Sequence, residues 1–151
     1  MTKLLNDIIN IDLHIHSIES EYKEEEGYLN NSTIDNIDVL LKKLSENNIN
    51  LFAITDHNRF DKNLYDKIKT LIGKGPYKNI LNVLPGIEFD VQIDEGKEAC
   101  HIICIFDDSK PEELSNINTV LSKKILTKPT EYYTKYEFEN ILKKINLSTL
   151  L

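Results

Sequence analysis

Ile11-Asp12-Leu13-His14-Ile15-His16 begins at the last residue of the short apolar run 8–11 and places two histidines two positions apart. In an extended chain, side chains at i and i+2 point to the same side. His14 and His16 are therefore predicted to present their imidazoles in one direction, with Asp12 on that side too. Neutral imidazole binds Zn, Mn or Fe well, and a carboxylate can join as a ligand or orient a ring. The stretch predicts a metal site, and the alternative is a pair of strand-end histidines that bind nothing.

The remaining histidines of the chain favour the metal site. There are four histidines in all, and both of the others also lie in or directly after apolar runs. His57 ends the segment 51–57, His101 opens the segment 101–106, and between them Glu88 closes another apolar run. Histidines that are confined to predicted strands indicate one shared site better than they indicate scattered surface positions.

The order and spacing of four motifs resemble the PHP (polymerase and histidinol phosphatase) phosphoesterase family. The motifs are Asp12-Leu13-His14-Ile15-His16, Ile54-Thr55-Asp56-His57-Asn58, Gly86-Ile87-Glu88 and His101-Ile102-Ile103. The resemblance runs from about Ile8 to Phe106. It implies an α/β fold, a distorted TIM-like (β/α)7 barrel, with metal ions at the C-terminal ends of the strands. It also implies that residues 1–151 are the N-terminal portion of a single PHP-type domain, with the C-terminal strands and their ligands missing.

The resemblance also implies a ligand set. His14, His16, Glu88 and His101 are the expected metal ligands, and His57 is expected to serve a further metal ion. Two or three divalent ions, Zn, Mn or Fe, are the implied cofactors, because a mixed histidine and carboxylate set suits them better than Mg. A family histidine that often follows the first motif has no counterpart here, which puts a complete third metal site in doubt.

Three further residues are candidates for catalytic roles. Asp12 and Asp56 could orient rings or join the site, although Asp56 cannot point the same way as His57 in an extended strand. Arg59 is the only arginine of the chain and lies two residues after His57. A guanidinium there could hold a phosphate bidentately, and the alternative is an exposed loop arginine.

His101 presents a conflict within the sequence. It lies early in its apolar run, whereas barrel sites lie at strand ends. Either the strand ends near His101, or His101 is a core residue. Cys100 and Cys104 flank it, but alternate residues of a strand face opposite sides. The cysteines are therefore predicted to be small buried hydrophobes instead of zinc ligands.

Composition limits the class of protein. A chain of 151 residues fits one domain. The net charge of −7 disfavours nonspecific binding to nucleic acid, without excluding a nucleic-acid substrate in a metal-rich pocket. No apolar run approaches the ~18 residues of a membrane span, and polar residues interrupt the start before a signal peptide could form. Two cysteines suit a reducing compartment, and a cytoplasmic location is expected.

The hydrophobic periodicity predicts alternating strands and helices. The predicted strands are residues 8–13, 51–55, 80–84, 98–106 and 147–151, with a further extended segment at 89–93. The predicted helices are residues 32–47, a helix capped by Asp61, a helix with Pro111 in its first turn, and a helix opened by a Thr134–Glu137 capping box. A loop rich in carboxylates, residues 19–27, is predicted to be solvated, and the alternative is extra cation binding near the site.

The predicted function is metal-dependent phosphoester hydrolysis, of a phosphomonoester or a nucleic-acid phosphodiester, by a metal-bound hydroxide. The alternative is a noncatalytic metal-binding or interaction module of a larger protein. The expected partners are a phosphate-ester substrate, with nucleic acid and nucleotide both open, and no membrane. A C-terminal ATPase or other domain, or a homo-oligomer, is compatible with the family and is not decided by the sequence.

Overall fold

The computed structural model describes residues 8–24, 32–109, 111–145 and 149–150. Its strands are β1 Asn10–Ile15, β2 Ile49–Ile54, β3 Asn82–Gln92, β4 Cys100–Phe106, β5 Tyr133–Thr134 and β6 Thr149–Leu150. Its helices are α1 Ile37–Glu46, α2 Lys62–Leu71, α3 Pro111–Leu121 and α4 Lys135–Ile145. Two short 3₁₀ turns lie at Ile18–Ser20 and Gly75–Tyr77.

The strands form one curled sheet. Its order is β1-β2-β3-β4-β6, and β5 pairs with β3 off this path. Strands β1, β2 and β3 are parallel, and α1 and α2 connect them, as parallel pairs require. β4 runs antiparallel to β3, and β6 antiparallel to β4. The result is an α/β fold in which a curled, largely parallel sheet forms a half-barrel.

The apolar core lies between the sheet and its helices. From the sheet it includes Phe52, Ile87 and Phe89, which are fully buried. Helices contribute apolar faces to the same cluster, through Ile37, Leu41, Leu64, Ile68, Leu114 and Ile117. Because each helix buries one face, the strands stay fixed relative to one another, and so do the side chains at their ends. Among the described helices, none is long and apolar enough to cross a membrane.

The predicted helix caps are confirmed at two positions. Asp61 accepts a hydrogen bond from the Leu64 amide at 3.0 Å and caps α2. Glu137 accepts from the Thr134 amide at 2.8 Å while its own amide donates to the Thr134 hydroxyl at 3.2 Å, which is the expected capping box of α4. The first helix was predicted from residue 32, but α1 begins at Ile37 because a turn at Thr33 precedes it.

β3 joins two segments that were predicted separately. It runs without interruption through Pro85 and Gly86 to Gln92, pairing with β2 over residues 82–85 and with β4 over residues 86–91. Gly86 permits this change of partner, since a Cβ there would lie 2.6 Å from Thr55 Cγ2 and 3.0 Å from Ile105 Cδ1. The predicted turn at residues 94–97 is present, and the Lys97 amide closes it with a hydrogen bond to the Asp94 carbonyl.

Candidate metal centre

The strand ends bring the four histidines to one edge of the sheet. His14 lies near the end of β1 and His16 directly after it, while His57 follows β2. These parallel strands end at the same edge, and His57 forms an isolated bridge with Glu88 of β3. The sheet therefore places three histidines around the Glu88 side chain.

His101 reaches the same place from the opposite direction. It lies near the start of β4, which is antiparallel to β3, and its register partner is Asp90. Because β4 runs opposite to β3, the start of β4 lies beside the later part of β3. This relation explains how an early position in an apolar run can still lie at the site.

Glu88 is the centre of the cluster. Its side chain is buried, and its two oxygens face different histidines. The Oε2 atom lies 2.7 Å from His14 Nε2 and 3.0 Å from His16 Nε2, whereas the Oε1 atom lies 2.5 Å from His101 Nδ1. His57 Nε2 lies 4.0 Å from Oε2. The Glu88 carboxylate therefore lies between the imidazole nitrogens of His14 and His16 on one side and that of His101 on the other.

The imidazole rings form a continuous arc. Successive ring centroids lie 5.0 Å apart from His14 to His16, 4.7 Å from His16 to His57, and 5.2 Å from His57 to His101. Three sets of residues have ligand atoms within 4.8 Å of one another: His14 with His16 and Glu88, His16 with Glu24 and His57, and His57 with Glu88 and His101. The structure therefore brings all five predicted ligands together.

Asp12 lies outside these sets. A register shift in the β1–β2 pair falls between Asp12 and Ile15. A shift of one residue in register turns the side chains of a strand to the other face of the sheet. The Asp12 carboxylate instead accepts from the His14 backbone amide at 3.1 Å. The structure therefore places Asp12 beside the backbone that carries His14.

Asp56 anchors the loop that follows β1. It is buried and accepts from the Ser17 amide at 2.6 Å, the Ser17 hydroxyl at 2.6 Å and the Ser20 hydroxyl at 2.8 Å. Burial raises the pKa of Asp56, although these hydrogen bonds oppose the shift. The Ser20 hydroxyl also accepts from the His57 amide at 3.0 Å. Asp56 thus fixes the backbone that carries His16 relative to the backbone that carries His57.

Arg59 lines a cleft that begins at the loop after β2. Its guanidinium stacks over the Tyr22 ring at 4.7 Å and lies 3.4 Å from a Glu19 carboxylate oxygen. The cleft has a volume of about 550 Å³, and Asn58 and Ile125 also line it. Arg59 is partly exposed and lies outside the three histidine sets.

Asp90 was missed by sequence reasoning. It is buried, with Oδ2 3.3 Å from His57 Nδ1 and Oδ1 3.2 Å from His101 Nε2. Lys23 Nζ lies 2.8 Å from Oδ2, and the Asn58 side-chain amide donates to the same oxygen. The available signal was alternation, because Asp90 is two residues after Glu88 on one strand and shares its side.

Glu24 was also missed as an individual residue. Its Oε1 atom lies 3.3 Å from His16 Nδ1 and 3.4 Å from His57 Nε2. It belongs to the carboxylate-rich loop for which a solvated role was predicted and cation binding was the alternative. The structure favours the alternative for Glu24, because its carboxylate lies beside nitrogens of two histidines.

The electrostatics of the centre follow from this pairing. Burial alone would raise the pKa of Glu88, but hydrogen bonds from His16 and His14 lower it to about 2. The pKa of Asp90 is likewise lowered to about 2, because contacts with His57 and Lys23 outweigh burial. Burial would lower the pKa of His57, and the adjacent Asp90 and Glu88 carboxylates raise it instead. Both carboxylates are therefore held ionised in a buried position.

The donor set fits divalent cations. Four buried side-chain atoms of the centre lack a well-aligned hydrogen bond: His16 Nδ1, His57 Nδ1, Glu88 Oε1 and Asp90 Oδ1. Buried polar atoms without partners are rare in proteins. Imidazole nitrogens and carboxylate oxygens converging within ligand reach suit Zn, Mn or Fe. These buried histidine and acidic groups could hold metal ions.

The cysteines contribute to none of the histidine sets. Cys104 is buried, as predicted, and burial raises the pKa of its thiol to about 11. Cys100 is exposed, so the prediction that both are buried is wrong for this one. Its thiol donates to the Val91 carbonyl of the neighbouring strand at 3.4 Å.

Comparisons with known proteins give no assignment. No family model matches the chain, and a search of curated proteins finds no match. The geometry of the centre and the four motifs therefore carry the functional argument.

Proposed function

We propose that this chain is a PHP-type metal-dependent phosphoesterase domain that hydrolyses a phosphomonoester or a nucleic-acid phosphodiester. The observation that carries the proposal is the position of Glu88. Its two oxygens are turned toward different histidines, at 2.7 Å from His14 Nε2 and 2.5 Å from His101 Nδ1. A carboxylate in that position can bridge two cations.

The ligand sets divide between two positions. His14, His16 and Glu88 would hold one ion, and His57, Glu88 and His101 a second. His16 and His57 each also belong to the set with Glu24, but a neutral imidazole has one lone pair, so neither can serve two ions at once. When bound, a pair of divalent ions lowers the pKa of a shared water and neutralises the charge that develops on a phosphoryl group.

The remaining residues bind and orient. Glu24 and Asp90 contact ring nitrogens of the histidines and would restrain how each ring turns. Arg59 lines the adjacent cleft and carries a charge suited to a phosphate. The cleft would receive the organic part of the ester, and a nucleotide or nucleic-acid end fits the proposal.

The test combines metal analysis with hydrolysis of two chromogenic esters, p-nitrophenyl phosphate and bis-p-nitrophenyl phosphate, in Mn or Zn. We expect about two ions per chain and hydrolysis of at least one ester. His14→Ala should abolish hydrolysis, and Glu95→Gln, an exposed position in the turn before β4, should not. Hydrolysis that survives His14→Ala would remove the proposed mechanism.

A second candidate is a noncatalytic metal-binding module within a larger assembly, such as an ATPase-linked or polymerase-linked protein. It is favoured by apolar side chains left exposed in the half-barrel. Ile11 and Leu13 of β1 are 54% and 36% exposed, and Ile103, the register partner of Glu88, is 38% exposed. Binding of one ion or none, without hydrolysis of either ester, would favour this candidate.

A further inference from the structure

We propose that the loop between α3 and β5, residues 122–132, binds a single-stranded nucleic acid whose phosphodiester is the substrate of the metal centre. The inference rests on the proposed function and deepens it, because it chooses a polynucleotide over a small phosphomonoester. Three features of the loop carry it: two adjoining clefts, an excess of positive charge, and apolar side chains that are left exposed beside the lysines.

The first feature is the continuation of the Arg59 cleft along this loop. Asn58, which directly follows the candidate ligand His57, lines the Arg59 cleft, and so does Ile125. Ile125 also lines a second cleft of about 410 Å³, together with Lys124 and Tyr132. Because the two clefts share Ile125, they adjoin. A small ester would occupy the Arg59 cleft alone, whereas an extended strand could continue into the second.

The second feature is the local charge. The whole chain has 18 lysines and arginines against 25 acidic residues, but this loop has three lysines and one glutamate. Lys124 pairs with Glu137 at 2.8 Å. Lys123 and Lys128 are exposed, and neither forms an ion pair with any residue that the structure describes. Lysines of this kind can neutralise backbone phosphates and release the counterions bound to them.

The third feature is exposed apolar surface between these lysines. Ile125 is 62% exposed and Tyr132 is 37% exposed, and both line the second cleft. Bases of a single strand stack on aromatic side chains with little sequence preference, while a basic groove follows the backbone. The loop therefore offers both kinds of contact that a single strand requires.

The loop is held in shape by its own contacts. Leu126 is buried in the core, and the Tyr133 hydroxyl donates to the Lys124 carbonyl at 2.8 Å. The Glu131 carboxylate accepts from the backbone amides of residues 127–128 at 2.7 and 3.1 Å. A surface that is already ordered loses less conformational entropy when it binds a ligand.

The test is fluorescence anisotropy of a labelled oligothymidylate of about 12 nucleotides, a length within the range that single-strand sites cover. The full chain is used with a chelator present, so that no strand is cut. We expect Tyr132→Ala to weaken binding at least about fivefold, through the loss of a stacked base. A duplex of the same length should bind more weakly than the single strand, because its bases are already stacked on one another.

The salt dependence of binding tests the lysines. Each phosphate contact to a single strand contributes about 0.7 to the slope of log K against log salt. The double variant Lys123→Gln with Lys128→Gln should therefore reduce the slope by about 1.4. Lys43→Gln, an exposed position on α1, should leave the slope unchanged. Wild-type affinity in Tyr132→Ala, an unchanged slope in the double variant, or equal binding of the duplex would each overturn the proposal.

Hydrolysis separates this proposal from the proposed function. With metal present, Tyr132→Ala should raise KM for the oligonucleotide about fivefold or more and leave KM for p-nitrophenyl phosphate unchanged. A wild type that hydrolyses the chromogenic esters but does not bind the strand would overturn the nucleic-acid proposal and leave the phosphoesterase in place. A wild type that binds the strand as expected but hydrolyses nothing would remove the proposed function, and the loop would remain a binding surface without a substrate.

Discussion

His57 and Glu88 form an isolated parallel bridge beyond the end of β2. The Asn58 amide donates to the Glu88 carbonyl at 2.8 Å, and the Glu88 amide donates to the Asp56 carbonyl at 3.1 Å. Asn58 then turns the chain away with a positive φ of 55°. The backbone thus holds His57, a candidate ligand, and the central carboxylate together.

Glu88→Gln tests this central position. The amide has nearly the same shape, but it has no negative charge, and an NH₂ group replaces one of the two oxygens that face different histidines. We expect metal affinity to fall by at least about tenfold at both ions, because even residues behind the ligands typically cause losses of that size. Metal content after gel filtration measures the effect. Glu95→Gln serves as the exposed control, and unchanged metal content in Glu88→Gln would contradict the prediction.

The metal-free protein should show a bell-shaped dependence of stability on pH. The pKa of His57 is raised above its ordinary 6.5, so the stability from this group is complete below that value and is lost as pH rises through the folded value. The pKa values of Glu88 and Asp90 are lowered to about 2, so their contribution is present above about pH 4.5 and is lost as pH falls.

Urea midpoints between pH 3 and 9 measure this dependence. We expect the greatest stability of the metal-free protein at about pH 5–6.5, and a shallower loss above that range in His57→Gln. Added Mn or Zn should raise the midpoint more at pH 8 than at pH 6, because the ligands must be deprotonated to bind. A midpoint that rises steadily from pH 6 to 9 without metal would contradict the assignment.

Gly86→Ala should destabilise the fold. The added Cβ would lie 2.6 Å from Thr55 Cγ2 and 3.0 Å from Ile105 Cδ1. Overpacking of this kind costs roughly 1–3 kcal/mol. The double variant Gly86→Ala with Thr55→Ser removes the nearer methyl group and should recover part of the loss, with Thr55→Ser alone as the reference. Equal urea midpoints for the single and double variants would show that the contact with Thr55 is not the cause.

Asp56→Asn should loosen the loop after β1 without removing a ligand. An asparagine offers one acceptor oxygen where Asp56 has two, which together accept from Ser17 and Ser20. We expect a loss of about 1–3 kcal/mol in unfolding free energy, the usual effect of an unsatisfied buried group, and faster amide exchange over residues 17–24. Metal stoichiometry should be retained at saturating metal. A loss of stoichiometry with normal exchange would instead assign Asp56 to the ligands.

Arg59→Ala tests the cleft as the place where substrate binds. Hydrogen bonds to charged groups contribute about 1.5–3 kcal/mol, so we expect KM to rise about tenfold or more. The kcat should change little, because Arg59 lies outside the ligand sets. Lys62→Gln changes another cation of the same cleft and is the matched control. An unchanged KM in Arg59→Ala would show that Arg59 does not contact the phosphate of the substrate.

Some of the centre was predictable because local patterns are strong in this chain. The i, i+2 spacing of His14 and His16 placed both rings on one side, and the apolar run before His57 placed that residue where β2 ends. The apolar run before Glu88 also predicted a strand end, but β3 continues past Glu88 to Gln92. Asp61 and the Thr134–Glu137 pair defined helix starts from hydrogen bonds within one turn. None of these inferences requires knowledge of which strands are neighbours.

Other features depended on pairing between distant segments. A register shift in the β1–β2 pair falls between Asp12 and Ile15, and it depends on how β1 pairs with β2. Glu24 and Lys23 have the pattern of ordinary charges in an acidic loop, and only the structure places Glu24 beside His57 and Lys23 beside Asp90. Asp90 shared a face with Glu88 in the sequence pattern, but its partners come from three other segments.

The sequence by itself determined the chemical types available, four histidines and a glutamate in or directly after strands, because strand and helix periodicity act over a few residues. Only the tertiary structure decided that His101 joins them, since the antiparallel direction of β4 turns the start of that strand toward the ends of the parallel strands. It also decided which nitrogen of each ring faces Glu88. The ring orientations go with contacts between distant segments, such as His14 with Glu88 and His57 with Asp90, and no local pattern specifies them.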